Sequence, residues 1–274
     1  MKIKFIFFCI NFFILLTLNI KADDINIISD NIRVLENGKI IKSVNTQAII
    51  ENRGLFIEGK KSKYNKFTEE ISFEENVLFK DKFKKIDVET KKAIYDKKKD
   101  VLKTQFFTKI NIDRKYKILS KNIFYDRKLE KIFSNDETTI SDQDGNIYKI
   151  ENKVVIDITN EIITADKVNI IDVNNNIYFF ENSKINLISK EILGKELKIN
   201  FEDGYFGNSD NDPVLKGRSA FSNERETKIY KAVFSTCNTE NKKCPGWEIE
   251  TEEFTHDKKK RVFNYKNSWL KVFD

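Results

Sequence analysis

Cys237 and Cys244, with the single histidine of the chain beside an aspartate, His256-Asp257, are the residues with the most chemistry to offer. In an oxidising compartment an even cysteine pair reads as a disulfide, with two free thiols as the alternative. One histidine cannot supply both a nucleophilic triad and a metal cluster. No phosphate-cradling glycine loop and no Gly-x-Ser-x-Gly elbow occurs in the sequence. Carboxylate pairs such as Glu69-Glu70 and Glu252-Glu253 arise by chance among 43 acids and read as solvated surface. The expectation is a non-enzyme with no catalytic residues, no metal ligands and no cofactor.

The elements that must position these residues begin with Met1-Lys-Ile-Lys4, followed by an apolar run from Phe5 to Ile20 and then Lys21-Ala22. A positive start, an apolar core of roughly 15 residues and a small residue at its end predict a secretory signal peptide over 1–22. A retained anchor is the rival, but the core is shorter than the roughly 20 residues that a spanning helix needs. Cys9 lies mid-core, away from any cleavage site, so a lipoprotein anchor is not expected. About 250 residues follow, enough for one large all-β domain or two small ones. Charged residues make up 34 % of the chain and the net charge is +6. That basic balance suggests nucleic acid, but the lysines are interleaved with nearly as many acids, so no nucleic-acid partner is expected.

Period-2 alternation dominates from Asp24 to Phe201. Ile86-Asp-Val-Glu89, Ile110-Asn-Ile-Asp113, Lys184-Ile-Asn-Leu187 and Leu197-Lys-Ile-Asn-Phe201 each put apolar side chains on one face and polar ones on the other. That is the pattern of half-buried antiparallel strands. Turn signals separate them at Glu36-Asn37-Gly38, Asp144-Gly145-Asn146, Asn174-Asn-Asn176 and Asp203-Gly204.

A loose repeat also runs through the chain. A basic or amide residue is followed by a small or apolar one, with an aromatic or aliphatic residue two further on. It starts at Asn31, Lys61, Lys92, Asn122 and Lys153, in steps of 30, 31, 30 and 31 residues, and continues at Val168 and Leu197. Steady spacing predicts stacked units of two or three short strands. An elongated β-jelly roll of two facing sheets fits, as does a β-solenoid. The glycines are few and irregularly placed, which favours the jelly roll. Candidate inward residues are Val168, Ile170, Ile185, Leu187, Leu197, Ile199 and Phe201, read either as ordinary sandwich core or as the wall of a groove. The first mature strand, with Ile25, Ile27 and Ile28, is a candidate free edge for strand addition.

The C-terminal stretch sets in order Cys237, Cys244-Pro-Gly, Trp247, a strand, His256-Asp257, the charged turn to Arg261 and an aromatic strand through Asn267-Ser-Trp-Leu270. This order resembles the LptD family of lipopolysaccharide-assembly proteins, where the periplasmic OstA-type domain meets the outer-membrane barrel. The resemblance is densest over about sixty residues at the C-terminus and extends by strand pattern over Asp24–Gly217. It implies an OstA/LptA-like β-jelly roll of two splayed antiparallel sheets over 23–217. Residues 218–274 are then the junction towards a barrel that lies outside this sequence, with Trp247, His256 and Asp257 as its structural residues and a turn-stabilising hydrogen bond implied at His256-Asp257.

The resemblance further implies an exported, periplasmic, non-catalytic protein associated with the outer membrane. It would receive lipopolysaccharide from an LptA-like partner docked on the edge strand and pass it towards the barrel. In that family, cysteines of the periplasmic domain pair with barrel cysteines, and Cys237 is the better match; within this sequence a local Cys237–Cys244 bridge is expected. A stand-alone LptA-like bridge and a secreted structural or adhesive β-solenoid are the alternatives.

Overall fold

The structure is a computed structural model that describes residues 24–201, 214–235, 247–260 and 262–273. The expected signal peptide, Cys237, Cys244 and the polar connection over 202–213 lie outside the described residues. The chain is all-β. Its strands are β1 (Asn26–Ile28), β2 (Asn31–Leu35), β3 (Ile40–Ile50), β4 (Leu55–Asn65), β5 (Glu70–Asp81), β6 (Ile86–Asp96), β7 (Val101–Ile112), β8 (Tyr116–Lys121), β9 (Phe124–Asp126), β10 (Lys131–Ser134), β11 (Thr138–Ser141), β12 (Ile147–Ile150), β13 (Val154–Asp157), β14 (Ile162–Ile171), β15 (Ile177–Asn186), β16 (Glu191–Asn200), β17 (Val214–Ser222), β18 (Glu226–Ser235), β19 (Trp247–Asp257) and β20 (Val262–Val272). One turn of 3₁₀-helix, Glu51–Arg53, joins β3 to β4.

Outside the short strands β8 to β13, strands that neighbour in sequence pair antiparallel, from β1 and β2 on β3 through to β19 on β20, and every pairing in the sheet is antiparallel. This disagrees with a β-solenoid, whose coils stack in parallel. In the middle of the chain the pairings close into an eight-strand antiparallel barrel, in the order β7-β8-β11-β12-β14-β13-β10-β9 and back to β7. The remaining strands continue outward from β7 on one side and β14 on the other. The short strands form two layers, β8-β11-β12 and β9-β10-β13, which β7 and β14 join by running through both.

Long strands pass from one layer to the other because each is creased near its middle. The backbone takes a left-handed φ of 49° at Asn45 in β3, 72° at Phe106 in β7, 51° at Lys167 in β14 and 50° at Glu196 in β16. Register shifts mark the same place between Glu58 and Lys61, Glu74 and Val77, and Thr90 and Lys92. An extra residue bends a strand and moves its side-chain parity. In β4, Leu55, Ile57 and Gly59 point inward before the bulge, and Ser62 after it. Without that shift the second half of the strand would turn its apolar side outward.

The loose repeat in the sequence marks this crease. Lys61 and Lys92 stand at the bulges, and Asn122 and Lys153 sit in the gaps between β8 and β9 and between β12 and β13. The period is one hairpin, so the unit holds two creased strands. The half-length step to Val168 moves by one strand.

Broken ladders leave backbone groups that need partners, and buried hydroxyls along the crease supply them. The Thr104 hydroxyl accepts from the Ile123 N–H at 3.0 Å and Thr108 donates to the Phe106 carbonyl at 3.2 Å. The Ser120 hydroxyl bonds those of both Ser134 and Thr138 and reaches the Glu137 carbonyl. Away from the crease the interior is apolar and runs from Ala48 to Phe254, with Phe73, Phe79, Tyr95, Tyr125, Phe180 and Phe254 among its largest fully buried side chains. The division expected after Gly217 falls inside β17, which pairs with both β16 and β18. The core runs across it through Leu215, Ala220 and Ile229.

Candidate functional site: a latched seam over an apolar interior

Turns alternate between the two ends of the strands, so the creased sheet has two rims. One carries turns such as 51–54, 82–85, 113–115 and 142–146, and the other carries 66–69, 97–100, 127–130, 158–161 and 187–190. The rims meet along a seam opposite the crease, held by side chains of opposite charge.

In the N-terminal half the closure is buried. Nε of Arg127 donates to Asp81 at 2.7 Å, its Nη1 to Asp100 at 2.7 Å and its Nη2 to the Arg53 carbonyl at 3.0 Å. The Tyr125 hydroxyl donates to Asp81 at 3.2 Å and Tyr95 to Asp100 at 2.6 Å. Arg53 completes the network on the Tyr95 hydroxyl and the Lys97 carbonyl. The Arg127 and Asp81 side chains are 6 % and 0 % exposed. Burial works against both charges of the Arg127–Asp100 pair. The hydrogen bonds overcome it, holding Arg127 above its ordinary range and Asp100 below the usual carboxylate value. Burial, reinforced by Asp100, pushes the Tyr95 phenol up.

Further along, the seam is held by latches that reach solvent, partly buried at Glu130 and Glu161 and exposed at Lys190 and Asp144. Lys84 pairs with Glu130, Lys115 with Glu161 at 3.1 Å, and Lys190 with Asp144 at 3.1 Å; the Tyr116 hydroxyl also donates to Glu161. Breaking a buried pair by removing one partner costs about 3–5 kcal/mol, whereas an exposed pair contributes about 0–1 kcal/mol. The weak part of the seam is therefore the stretch of Lys84, Lys115 and Lys190. Two cavities lie under it. One, of about 190 Å³, has Ile112, Ile118, Ile140 and Ile163 within and Lys85, Lys115 and Glu161 at its mouth. The other, of about 170 Å³, has Ile170, Ile185 and Ile192 within and Asp144, Lys190 and Glu224 above.

Two turns of this rim are built alike. Asp142 accepts from the backbone N–H groups of Asp144 and Asn146, the Asn146 amide and the Tyr148 hydroxyl. Asp172 does the same with Asn174, Asn176 and Tyr178. Both carboxylates are consumed by their own turns, which is a structural use of a pattern that resembles a cation loop. Lys258 reaches the same region, donating to the Ser222 hydroxyl and the Asn223 carbonyl, and burial lowers its pKa.

The structure places the expected residues as follows. Val168, Ile170, Ile185, Leu197, Ile199 and Phe201 are buried in the common interior, and Leu187 is half-buried and borders both cavities. Ile25 and Ile27 pack partly against the core while Ile28 is exposed, and β1 pairs with β3 alone. The Trp247 ring lies 6.2 Å from that of Phe234. Asp257 accepts from the N–H groups of Lys259 and Lys260 and so closes the turn. His256 makes no such bond; its Nε2 is buried without a partner, its ring stands edge-on to Phe263 at 4.8 Å, and burial lowers its pKa. Sequence reading missed the seam itself, because its partners come from turns far apart in the chain. Among the described residues no cluster of His, Cys, Asp or Glu has a metal-holding arrangement.

No protein-family model matches the chain, and no curated protein matches it.

Proposed function

We propose that the chain is a non-catalytic carrier of amphipathic lipid, an OstA-type jelly roll that receives lipopolysaccharide in the periplasm and passes it towards an outer-membrane barrel. The observation that carries this reading is the apolar interior lying directly beneath a weakly latched seam. Each methylene of an acyl chain left in water costs about 0.8 kcal/mol, so a carrier must offer an apolar wall without gripping any one group. Val168, Ile170, Ile185, Leu187, Leu197, Ile199 and Phe201 supply that wall. The interior is filled by its own side chains, so an acyl chain enters by parting the latches that reach solvent while the Arg127 network holds the N-terminal half closed. The order of residues around Trp247 and His256-Asp257 adds the lipopolysaccharide-assembly likeness.

A photo-crosslinking residue at Ile185 or Ile199 captures lipopolysaccharide on this reading, and one at Asn186 or Lys198 does not. Equal capture from both faces sinks it. The LptA-like partner is assigned to the free edge of β1. Ile27→Pro removes a ladder donor there, and docking that persists unchanged places the partner elsewhere.

A further inference from the structure

The basic balance of the chain is not spread evenly once it is folded. Lys66, Lys82, Lys85, Lys98, Lys99 and Lys128 are all exposed on four turns of the N-terminal seam, 66–69, 82–85, 97–100 and 127–130. The acids of those turns are turned into the seam and spent on other cations: Glu69 on Lys97, Asp100 on Arg53 and Arg127, and Glu130 on Lys84. Lys85 pairs with Asp113 at 3.1 Å and Lys99 with Asp96 at 3.3 Å, which leaves Lys66, Lys82, Lys98 and Lys128 without a carboxylate partner among the described residues.

The same tips present large apolar side chains to water. Phe67 is 80 % exposed, Phe83 65 % and Leu129 60 %. Each stands beside one or more lysines in sequence. The tips form one surface rather than separate loops. The Lys97 N–H donates to the Glu69 carbonyl, Lys98 Nζ to the Phe67 carbonyl at 2.8 Å, and the Arg127 N–H to the Asp100 carbonyl at 3.1 Å; the Lys84–Glu130 pair ties in the remaining turn.

We propose that this N-terminal seam is a docking surface for an anionic lipid bilayer, with Phe67, Phe83 and Leu129 entering the headgroup boundary and the lysines around them held at the charged surface. Apolar side chains at protruding turns, ringed by cations, gain from both burial and attraction to anionic headgroups. Nucleic acid fits the surface less well, because stacking needs a π-face and Leu129 offers none. Exposed aromatics alone do not make such a site. Phe106 and Phe107 at the crease are 58 % and 57 % exposed, but the nearby Lys92 and Lys109 are paired with Glu74 and Glu89, while Lys121, opposite Phe107, has no carboxylate partner among the described residues, so free cations are fewer there than at the four turns. The inference goes beyond lipid carriage and stands without it, since a seam that never opened would dock in the same way.

The test is co-sedimentation of the mature chain with vesicles of phosphatidylcholine, alone or with about one-third phosphatidylglycerol. Binding is expected to the anionic vesicles only, and to fall steeply above physiological salt as screening shortens to a few ångströms. Phe67→Ser/Phe83→Ser/Leu129→Ser and, separately, Lys82→Glu/Lys98→Glu/Lys128→Glu are each expected to lower the bound fraction about tenfold or more. Phe106→Ser/Phe107→Ser leaves it unchanged. Unaltered thermal unfolding of the lysine variant shows that its loss of binding is not loss of fold. Equal binding to neutral vesicles, loss of binding in the crease variant, or capture of a single-stranded oligonucleotide in place of vesicles overturns the proposal.

Discussion

Arg127 and Asp81 stand 46 residues apart in the chain and 2.7 Å apart in space. Lys115 and Glu161 repeat the spacing of 46 with a 3.1 Å contact. The seam is a regular product of the fold: each pair joins one rim to the other, three rim-to-rim passes of the chain later. What differs along its length is burial, and burial decides how much each pair holds.

The first expectation concerns stability. Arg127→Ala leaves Asp81 buried without its cation and is expected to cost about 3–5 kcal/mol. Lys190→Ala, at the pair with Asp144 that is exposed on both sides, is expected to cost about 0–1 kcal/mol. Urea unfolding of the two variants against the parent chain checks the ordering. Equal losses would mean that the seam carries its energy evenly.

A second expectation concerns access. Glu161→Gln weakens the Lys115 latch and the Tyr116 bond beside the larger of the two seam cavities. The entry rate of a fluorescent fatty-acid probe should rise several-fold, in line with removal of a barrier of about 1 kcal/mol. Stopped-flow fluorescence measures it. The parent chain should move towards the variant as salt is raised, because pairs that reach solvent are screened.

His256 sets the third expectation. Burial lowers its pKa from 6.5, with Lys258 acting in the same direction and Asp257 against it. The unfolded chain then binds the proton more readily than the folded one. The stabilising difference is present above the unfolded value and is lost as pH falls through 6.5 towards the folded value. Asp100, also lowered, adds its own loss only below about pH 4. Since the chain has one histidine, His256→Phe should flatten the unfolding midpoint between pH 7 and 5. Thermal unfolding at a series of pH values reads this directly, and a slope that survives the substitution would assign it to another group.

Two glycines give a packing test. A Cβ at Gly217 would overlap Ile229, and one at Gly194 would overlap Phe180, whereas at Gly59 the nearest atom, on Phe73, is 3.2 Å away. Alanine at Gly217 or Gly194 is expected to cost about 1–3 kcal/mol by overpacking, and alanine at Gly59 less. Differential scanning calorimetry distinguishes them.

The strands were largely legible because alternation is local: Leu197 to Phe201 announces its inward face without any neighbour. The crease was legible only as a vague repeat, since a bulge leaves a mark in spacing rather than in residue type. The hydroxyl row of Thr104, Thr108, Ser120, Ser134 and Thr138 gave no sign, because serine and threonine are equally at home on a wet surface. The Asp142–Asn146–Tyr148 set and its copy at Asp172–Asn176–Tyr178 were visible as turns, but not as a duplicated lock. The seam was hidden for a stronger reason. A lysine and a glutamate 46 positions apart look like any other two surface charges until the sheet is folded over. Interleaved lysines also look neutralised in sequence, while the fold turns Glu69, Asp100 and Glu130 inward and leaves Lys82, Lys98 and Lys128 outside.

The alternation of rims restricts how a chain of this kind can change length. Adding or deleting one hairpin returns every later turn to its own rim, with basic and acidic partners still facing each other across the gap. A single strand added between Lys115 and Glu161, or between Asp144 and Lys190, would set both partners of that pair on one rim. Duplication by hairpins is thus the step that such a gene can survive, and the paired turns at Asp142 and Asp172 have the form that such a duplication would leave.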